Sequence, residues 1–324
     1  MNKTRLKQII KKFDQIKVLV IGDLILDEFI WGKVDRISPE APVPVVMVES
    51  QSFMPGGAAN VAANVRSLDG KVYAIGVIGA DLRGSILLDE LKNQGINIEG
   101  ILIDDKRPTT LKSRVVAHSQ QVVRIDNENT RNIPEQLTNQ ILLFVKNNIK
   151  KIDAIIIEDY GKGVISPRLI KKLLKLARNH KKIVAVDPKE EHINYYQGAT
   201  VITPNRAEAL KATGLSSRKN VKISDVGNKL IKKLKLENVL ITMGEDGMQL
   251  FEKSGKNTHI PTIAQEVFDV SGAGDTVIAA YALALASGAK PIEAAYLANY
   301  AAGIEVGKVG VTQIQRKELL KRIG

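Results

Sequence analysis

Asp269-Val-Ser-Gly-Ala-Gly-Asp275-Thr276 opens the most informative stretch of the chain and runs directly into the small apolar residues 277–286. Two glycines just before a helix-patterned run let a ligand approach the backbone closely. The first N–H groups of such a helix have no partner inside it, and its dipole favours an anion there. Asp275 is the odd residue, because a carboxylate is misplaced in a site that only binds an anion. It makes sense if it takes a proton from an alcohol attacking a bound phosphate. Taken alone, Gly-Ala-Gly-Asp is equally well explained as a Gly-rich turn with Asp at a helix start. The rest of the chain decides between the two.

Outward from this motif, short β-rich runs alternate with helical patterns. Strands are predicted at 17–21, 72–78, 154–157, 183–187, 200–203 and 239–242. Helices are predicted at 58–68, 84–93, 134–148, 167–179, 206–213, 225–235, 273–286 and 291–306. Ser166 and Pro167 show the boundary logic: Ser caps, Pro suits the first helical position, and Leu169, Ile170, Leu173, Leu174 and Ala177 form an apolar stripe. Continuous apolar strands separated by helices imply a parallel sheet covered on both faces. Residues 43–48 and 98–125 break the alternation and read as strands without intervening helices. They are expected to form a small β excursion from one face, suited to covering a ligand. Leu6, Ile9, Ile10 and Phe13 recur at helical spacing on a basic first segment that leads into a strand, which favours packing on the core over lying on a membrane.

The 324 residues include no Cys, which rules out a disulfide framework, a thiolate metal site and a cysteine nucleophile. The longest apolar run, residues 277–286, is far short of the ~20 residues a membrane span needs, and residues 1–13 lack the apolar core of a signal peptide. A cytoplasmic protein with no membrane partner is therefore expected. The 47 Lys+Arg against 35 Asp+Glu, a net charge of +12, admit nucleic acid, anionic substrates or only a lysine-rich surface.

Further motifs follow in a fixed order: Gly56-Gly57-Ala-Ala-Asn60-Val-Ala62, Gly76-x-x-Gly79-x-Asp81-x-x-Gly84, Thr203-Pro-Asn205-Arg-Ala-Glu208, and Thr242-Met-Gly244-x-x-Gly247. With these in order, the chain resembles the ribokinase (PfkB) family of carbohydrate kinases from Val18 to about Gly310. Narrower runs resemble the heptose-7-phosphate kinases of that family, the kinase part of ADP-heptose synthases. These are Gly22-Asp23-Leu-Ile-Leu-Asp27, Arg36-Ile-Ser-Pro-Glu-Ala-Pro-Val-Pro-Val-Val46, Gln120-Gln-x-x-Arg124-x-Asp126, Asp159-Tyr-x-Lys162-Gly163 and Asp187-Pro-Lys189. The nucleotidyltransferase to which that kinase is often fused carries a His-x-Gly-His motif. The motif is missing here, so the second activity is expected to be absent.

The resemblance implies a three-layer α/β/α ribokinase-like domain over 1–324, with a mostly parallel sheet and a small β lid from about 30–50 and 98–126. It implies ATP-dependent phosphorylation of the anomeric hydroxyl of D-glycero-β-D-manno-heptose 7-phosphate, with ATP, Mg²⁺ and a monovalent cation such as K⁺. Asp275 becomes the base, and the backbone of Gly272, Ala273 and Gly274 the anion hole. Asn205 and Glu208, with Arg206 and Ala207 between them, are expected at the nucleotide phosphates, where Asn205 and Glu208 orient a hydrated Mg²⁺; the same pair also fits a helix cap. Thr242, Gly244 and Asn299 are expected to line the nucleotide site, although Asn299 also fits a buried, satisfied amide. Asp23, Asp27, Gly56, Gly57 and Asn60 are expected at the sugar, where carboxylates and an amide suit hydroxyls. Arg36, Lys112, Arg114, Lys162 and Lys189 are the candidate cations for its phosphate; Lys112 and Arg114, two apart on a strand, share a face. Lid strands in this family often pair between subunits, so a homodimer through the lid is expected.

The rivals are another sugar or sugar-phosphate kinase of the family and, remotely, a basic nucleic-acid-binding protein. Residues 303–308 are no Walker A loop and no GxGxxG turn follows the first strand. The four histidines show no metal spacing. Residues 146–182 carry a net +8 and residues 218–237 a net +5, leaving about −1 for the remainder. Neither stretch holds the glycine motifs, and aromatics are few. The global charge is best read as solvated outer helices, with no nucleic-acid partner.

Overall fold

The structure, a computed structural model, describes residues 2–118, 120–216, 220–263, 267, 270–308 and 312–324. Asp269 of the opening motif lies outside the described residues. In chain order the elements are α1 (Lys3–Ile10), β1 (Lys17–Gly22), β2 (Leu24–Ile37), β3 (Pro44–Gly57), α2 (Ala58–Ser67), β4 (Lys71–Gly79), α3 (Leu82–Asn93), β5 (Asn97–Asp104), β6 (Thr110–Ala117) and β7 (Gln120–Asn127). There follow α4 (Glu135–Asn148), β8 (Ala154–Glu158), α5 (Pro167–Asn179), β9 (Ile183–Asp187), β10 (Val201–Ile202), α6 (Arg206–Thr213), α7 (Ile223–Leu234) and β11 (Asn238–Thr242). The chain ends with β12 (Met248–Glu252), β13 (Asn257–Ile260), α8 (Ala273–Ala286), α9 (Pro291–Glu305) and α10 (Arg316–Ile323).

Among the described residues the strands form two sheets. The larger runs β13-β12-β11-β10-β9-β8-β1-β4-β5. It is parallel from β11 to β5, and β12 and β13 extend it as an antiparallel edge hairpin. Alternate residues of each inner strand feed opposite layers. Val18 and Val20 of β1 join the core under α1, α2, α3, α8, α9 and α10, while Leu19 and Ile21 join the core under α4, α5, α6 and α7. Helix α5 forms as the sequence predicts: Ser166 Oγ accepts the Leu169 N–H at 3.3 Å, Pro167 starts the helix, and the five stripe residues are buried. A fully buried Leu or Ile there contributes about 1.5–3 kcal/mol. Helix α8 differs in kind. Every residue from Asp275 to Ala284 is buried, so it is apolar all round and lies between the sheet and α9.

The smaller sheet, β3-β2-β6-β7, is the lid. Strand β2 pairs antiparallel with β3 and parallel with β6, and β6 pairs antiparallel with β7. It rises directly from the end of β1 and returns at the start of α2, where the Ala58 N–H donates to the Asp23 carbonyl at 3.1 Å. Gly57 closes this junction with φ +54°, and a Cβ there would come within 2.6 Å of the Asp23 carbonyl oxygen.

The expected lid bounds need correction. Residues 24–57 belong to the lid hairpin rather than 30–50, and residues 97–104 do not belong to the lid at all. Strand β5 is a parallel neighbour of β4 in the main sheet. The physical reason is the helix before it: β4-α3-β5 is a crossover unit, and a crossover places its second strand beside the first. The second lid segment is therefore 110–127, without 98–104. The edge hairpin β12–β13 was not among the predicted strands.

Candidate active site

The C-terminal ends of β1, β8, β9, β10 and β11 open toward the lid, and the chemistry-bearing residues gather there. Asp275 lies in the first turn of α8, whose cap is Gly272 with φ +86°. Its carboxylate is 4% exposed, accepts the Asn60 amide Nδ2–H at 2.6 Å and faces the Tyr160 hydroxyl at 3.4 Å. Burial above all, with the Asp27 charge, pushes the Asp275 carboxyl up to about 7 against the opposing Asn60 and Tyr160 hydrogen bonds. At neutral pH it is poised between holding and accepting a proton. Around it, Ala273 N–H reaches back to the Val270 carbonyl at 3.3 Å, and a Cβ on Gly274 would sit 3.6 Å from Asp187 Oδ2.

Two more carboxylates share the site. Glu158 ends β8 and Asp187 ends β9; with Asp275 they bring one oxygen each within 4.8 Å of one another. Burial first, then the neighbouring carboxylates, push Glu158 and Asp187 well above the usual carboxylate range. Glu158 Oε2 is buried without a hydrogen-bond partner. An orphaned buried carboxylate oxygen beside two other hard oxygen donors suits a divalent cation that prefers oxygen ligands.

On the lid side, Asp27 pairs with Arg114 at 2.5 Å, and that guanidinium lies 5.3 Å from the centre of the Phe29 ring. Gly56 leaves no side chain where the Asp27 carboxylate rests. Lys162 and Lys112 converge on Glu128 at 2.7 and 3.9 Å, and Lys112 also meets Asp126 at 3.3 Å.

A family model described as pfkB family carbohydrate kinase matches residues 15–318. The chain belongs to that family. It is 44% identical over 309 residues to Bifunctional protein HldE of Geobacter metallireducens, covering 95% of this chain and 63% of that protein. It is 43% identical over 293 residues to the protein of the same name from Wolinella succinogenes, covering 90% of this chain and 61% of the relative. The chain thus spans less than two thirds of the length of these curated relatives. Among solved structures it is similar to Arabidopsis thaliana ribokinase complexed with ribose and ATP, with TM-score 0.75, 20% identity, and 95% and 98% of the two chains covered. It is also similar to Escherichia coli phosphofructokinase-2 in complex with potassium, with TM-score 0.77, 18% identity, and 95% and 97% covered. Those likenesses establish the three-layer ribokinase-like fold.

Against this pfkB framework the predicted residues divide. Asp275, Asn60, Gly57, Gly56, Asp27 and Arg114 come together under the base of the lid. Lys112 and Lys162 stand beside them, and Lys189 lies alongside Gly161 with its charge near Glu190 and Glu191. Arg36 does not join them. It is exposed near the outer end of β2, opposite Val45 of β3.

Asp23 is a correction. It is 1% exposed and accepts the backbone N–H groups of Tyr160, Lys162 and Val164 at 3.0, 3.0 and 3.1 Å, so it holds the 160–164 loop rather than a sugar. Asn205 and Glu208 form the reciprocal helix cap, each accepting the other's backbone N–H, at 3.0 and 2.9 Å. Glu208 nevertheless sits close enough to help raise Asp187. A backbone bridge sets Asn205 beside Thr242, while Arg206, Ala207 and Gly244 form the exposed rim of that edge. Asn299 is 4% exposed and donates to the Pro261 carbonyl at 2.8 Å, the satisfied-amide alternative.

Sequence reasoning missed Glu158, Asp187 and Tyr160 as site residues. The available signal was positional, since a carboxylate closing an apolar parallel strand lies at the crevice where such sheets bind ligands.

Proposed function

We propose that this chain is an ATP-dependent sugar-phosphate kinase acting on D-glycero-β-D-manno-heptose 7-phosphate to give the 1,7-bisphosphate, in the cytoplasm, as a step toward ADP-heptose. The observation that carries the kinase reading is Asp275: a buried carboxylate at a helix N-terminus, held by Asn60 and poised near neutrality. The heptose reading rests on the motif runs at 22–27, 36–46, 120–126 and 159–163, together with the 44% identity to proteins named Bifunctional protein HldE.

In this reading residues 1–324 act as one kinase domain. The sugar lies beneath the lid, with Asp27, Gly56, Gly57 and Asn60 at its hydroxyls. Arg114, Lys112 and Lys162 supply positive charge toward its phosphate, exchanging their carboxylate partners for it. ATP lies along the edge formed by Asn205, Arg206, Ala207, Glu208, Thr242 and Gly244. Asp275 removes the proton from the anomeric hydroxyl as that oxygen bonds to the γ-phosphorus and the bond to ADP breaks. The Gly272 and Gly274 N–H groups at the start of α8 are assigned to the transferring phosphoryl charge, and the Ala273 N–H joins them on leaving the Val270 carbonyl. Glu158 and Asp187, with Asn205 and Glu208 behind them, would hold Mg²⁺, which would supply positive charge against the phosphates. A monovalent cation such as K⁺ near the anion hole is part of the same proposal.

The test is ATP consumption with heptose 7-phosphate, sedoheptulose 7-phosphate, fructose 6-phosphate, ribose and fructose, in potassium and in sodium salts. The expected result is a clear preference for heptose 7-phosphate, with higher turnover in potassium. A preference for ribose or fructose would sink the heptose assignment while leaving the kinase reading in place.

A homodimer through the lid is supported by its uncovered apolar residues: Met47 and Val48 are 62% and 63% exposed and Ile125 55%. Light scattering at working concentration should give twice the chain mass, and Met47→Lys with Val48→Lys should halve it. A monomeric wild-type protein would refute the dimer.

A further inference from the structure

We propose that Gln313 is a positioning residue for the catalytic carboxylate: its side-chain amide holds Asn60 the right way round to donate to Asp275. The inference rests on the reading of Asp275 as the base. It concerns a residue far away in sequence, on the segment that leads into α10.

Asn60 is 2% exposed on the first turn of α2. A primary amide is nearly symmetric in shape, so sterics alone do not choose which end meets Asp275. Hydrogen bonding does. The Gln313 Nε2–H donates to Asn60 Oδ1 at 3.1 Å, which leaves Asn60 Nδ2 to donate to Asp275 Oδ2 at 2.6 Å. With the amide reversed, oxygen would face a carboxylate and NH₂ would face NH₂, so both contacts would turn repulsive.

The neighbours lock the arrangement. Thr276 Oγ1 donates to Asn64 Oδ1 at 2.8 Å, which turns Asn64 Nδ2 toward the Asn60 carbonyl at 3.1 Å and, at a longer 3.5 Å, toward Asn60 Oδ1, where it backs the shorter Gln313 contact. Ser67 Oγ donates to the Ile314 carbonyl at 2.7 Å and ties the Gln313 segment to α2. The titratable groups around Asp275 are Asp27 from β2, Glu158 and Asp187 from the ends of β8 and β9, and Tyr160 from the following loop. Asn60 and Tyr160 are the donors the carboxylate has among them, so reversing Asn60 removes its shorter hydrogen bond.

The inference predicts an order of effects that a merely structural role would not produce. Gln313→Glu keeps the length but replaces the donor with an acceptor, which draws the Asn60 NH₂ away from Asp275. Its kcat should fall about 10²-fold, with KM for sugar and ATP within about twofold. Gln313→Met keeps the length without a donor or a competing acceptor, and its kcat should fall only about 10-fold. Equal losses in the two variants, or wild-type kcat in Gln313→Glu, would overturn the proposal. A second readout needs no substrate. In ¹⁵N-labelled protein the Asn60 side-chain NH₂, assigned with Asn60→Asp, should exchange slowly with solvent in the wild type and in Gln313→Met, and faster in Gln313→Glu. Unchanged exchange in Gln313→Glu would also overturn the proposal. If the wild-type protein phosphorylates none of the sugars, the functional reading fails, while this exchange measurement still decides the role of Gln313.

Discussion

Asp275→Asn should lower turnover on the preferred sugar by about 10³-fold, within the ~10²–10⁴ that a positioned base supplies, while KM for ATP and sugar changes little. The amide keeps the size and one acceptor for Asn60 but cannot take the proton. The same substitution should raise stability at pH 8, measured by thermal unfolding in EDTA. Burial lifts the Asp275 carboxyl from 3.8 to about 7 in the folded chain. The folded state therefore binds the proton more tightly than the unfolded state. This contribution favours the fold fully below about pH 4 and is lost as pH rises from 4 through 7. Above pH 7 the buried charge costs the wild-type fold up to about 4 kcal/mol, and Asn removes that cost. The stability gap between variant and wild type should close toward pH 4, and wild-type kcat/KM should fall as pH drops below 7. Near-normal turnover in Asp275→Asn would remove it as the base. A stability gap that does not change with pH would remove the buried-charge account.

Asp23→Ala should destabilise the fold, although burial also raises the Asp23 carboxyl and its removal relieves part of that cost. The substitution strands three N–H donors, of Tyr160, Lys162 and Val164, at a place where Asp23 is 1% exposed. An unsatisfied buried donor costs about 1–3 kcal/mol. A total loss of about 3 kcal/mol is expected, which lowers Tm by roughly 4–5 °C for a chain of 324 residues. Asp23→Asn retains an acceptor and should lose about half as much. Activity should fall with stability, because the loop carries Tyr160 and Lys162. An Asp23→Ala protein with unchanged Tm but a raised sugar KM would restore Asp23 to the substrate and refute its structural role.

Much of the fold was legible because its signals are local. Helix α5 could be read from Ser166, Pro167 and an apolar stripe, since capping and periodicity act within one turn of the chain. The start of α8 could be read from Gly272 and Gly274 for the same reason. The lid was harder. Residues 97–104 look like any exposed-edge strand, with apolar residues mixed among Asn97, Glu99 and Asp104. Only their pairing with β4 assigns them to the main sheet.

The site shows the same division. Asp275, Asn60, Gly57 and the Asn205–Glu208 pair stand in short motifs, so their residue types and spacing were visible in the chain. Glu158 was visible only as a strand end, Asp187 stood in the run Asp187-Pro-Lys189 without being assigned to the site, and Gln313 stands in no motif.

The sequence by itself determined the class of fold, the glycine-bounded helix start and the carboxylate at it, because each depends on neighbours within a few residues. The tertiary structure alone decided what those groups meet. It gave Asp23 to a loop, gathered three carboxylates from three elements, and brought Gln313 to Asn60 across 253 positions of chain. Burial and hydrogen-bond direction are properties of the packed whole, and they set the charge and aim of each side chain.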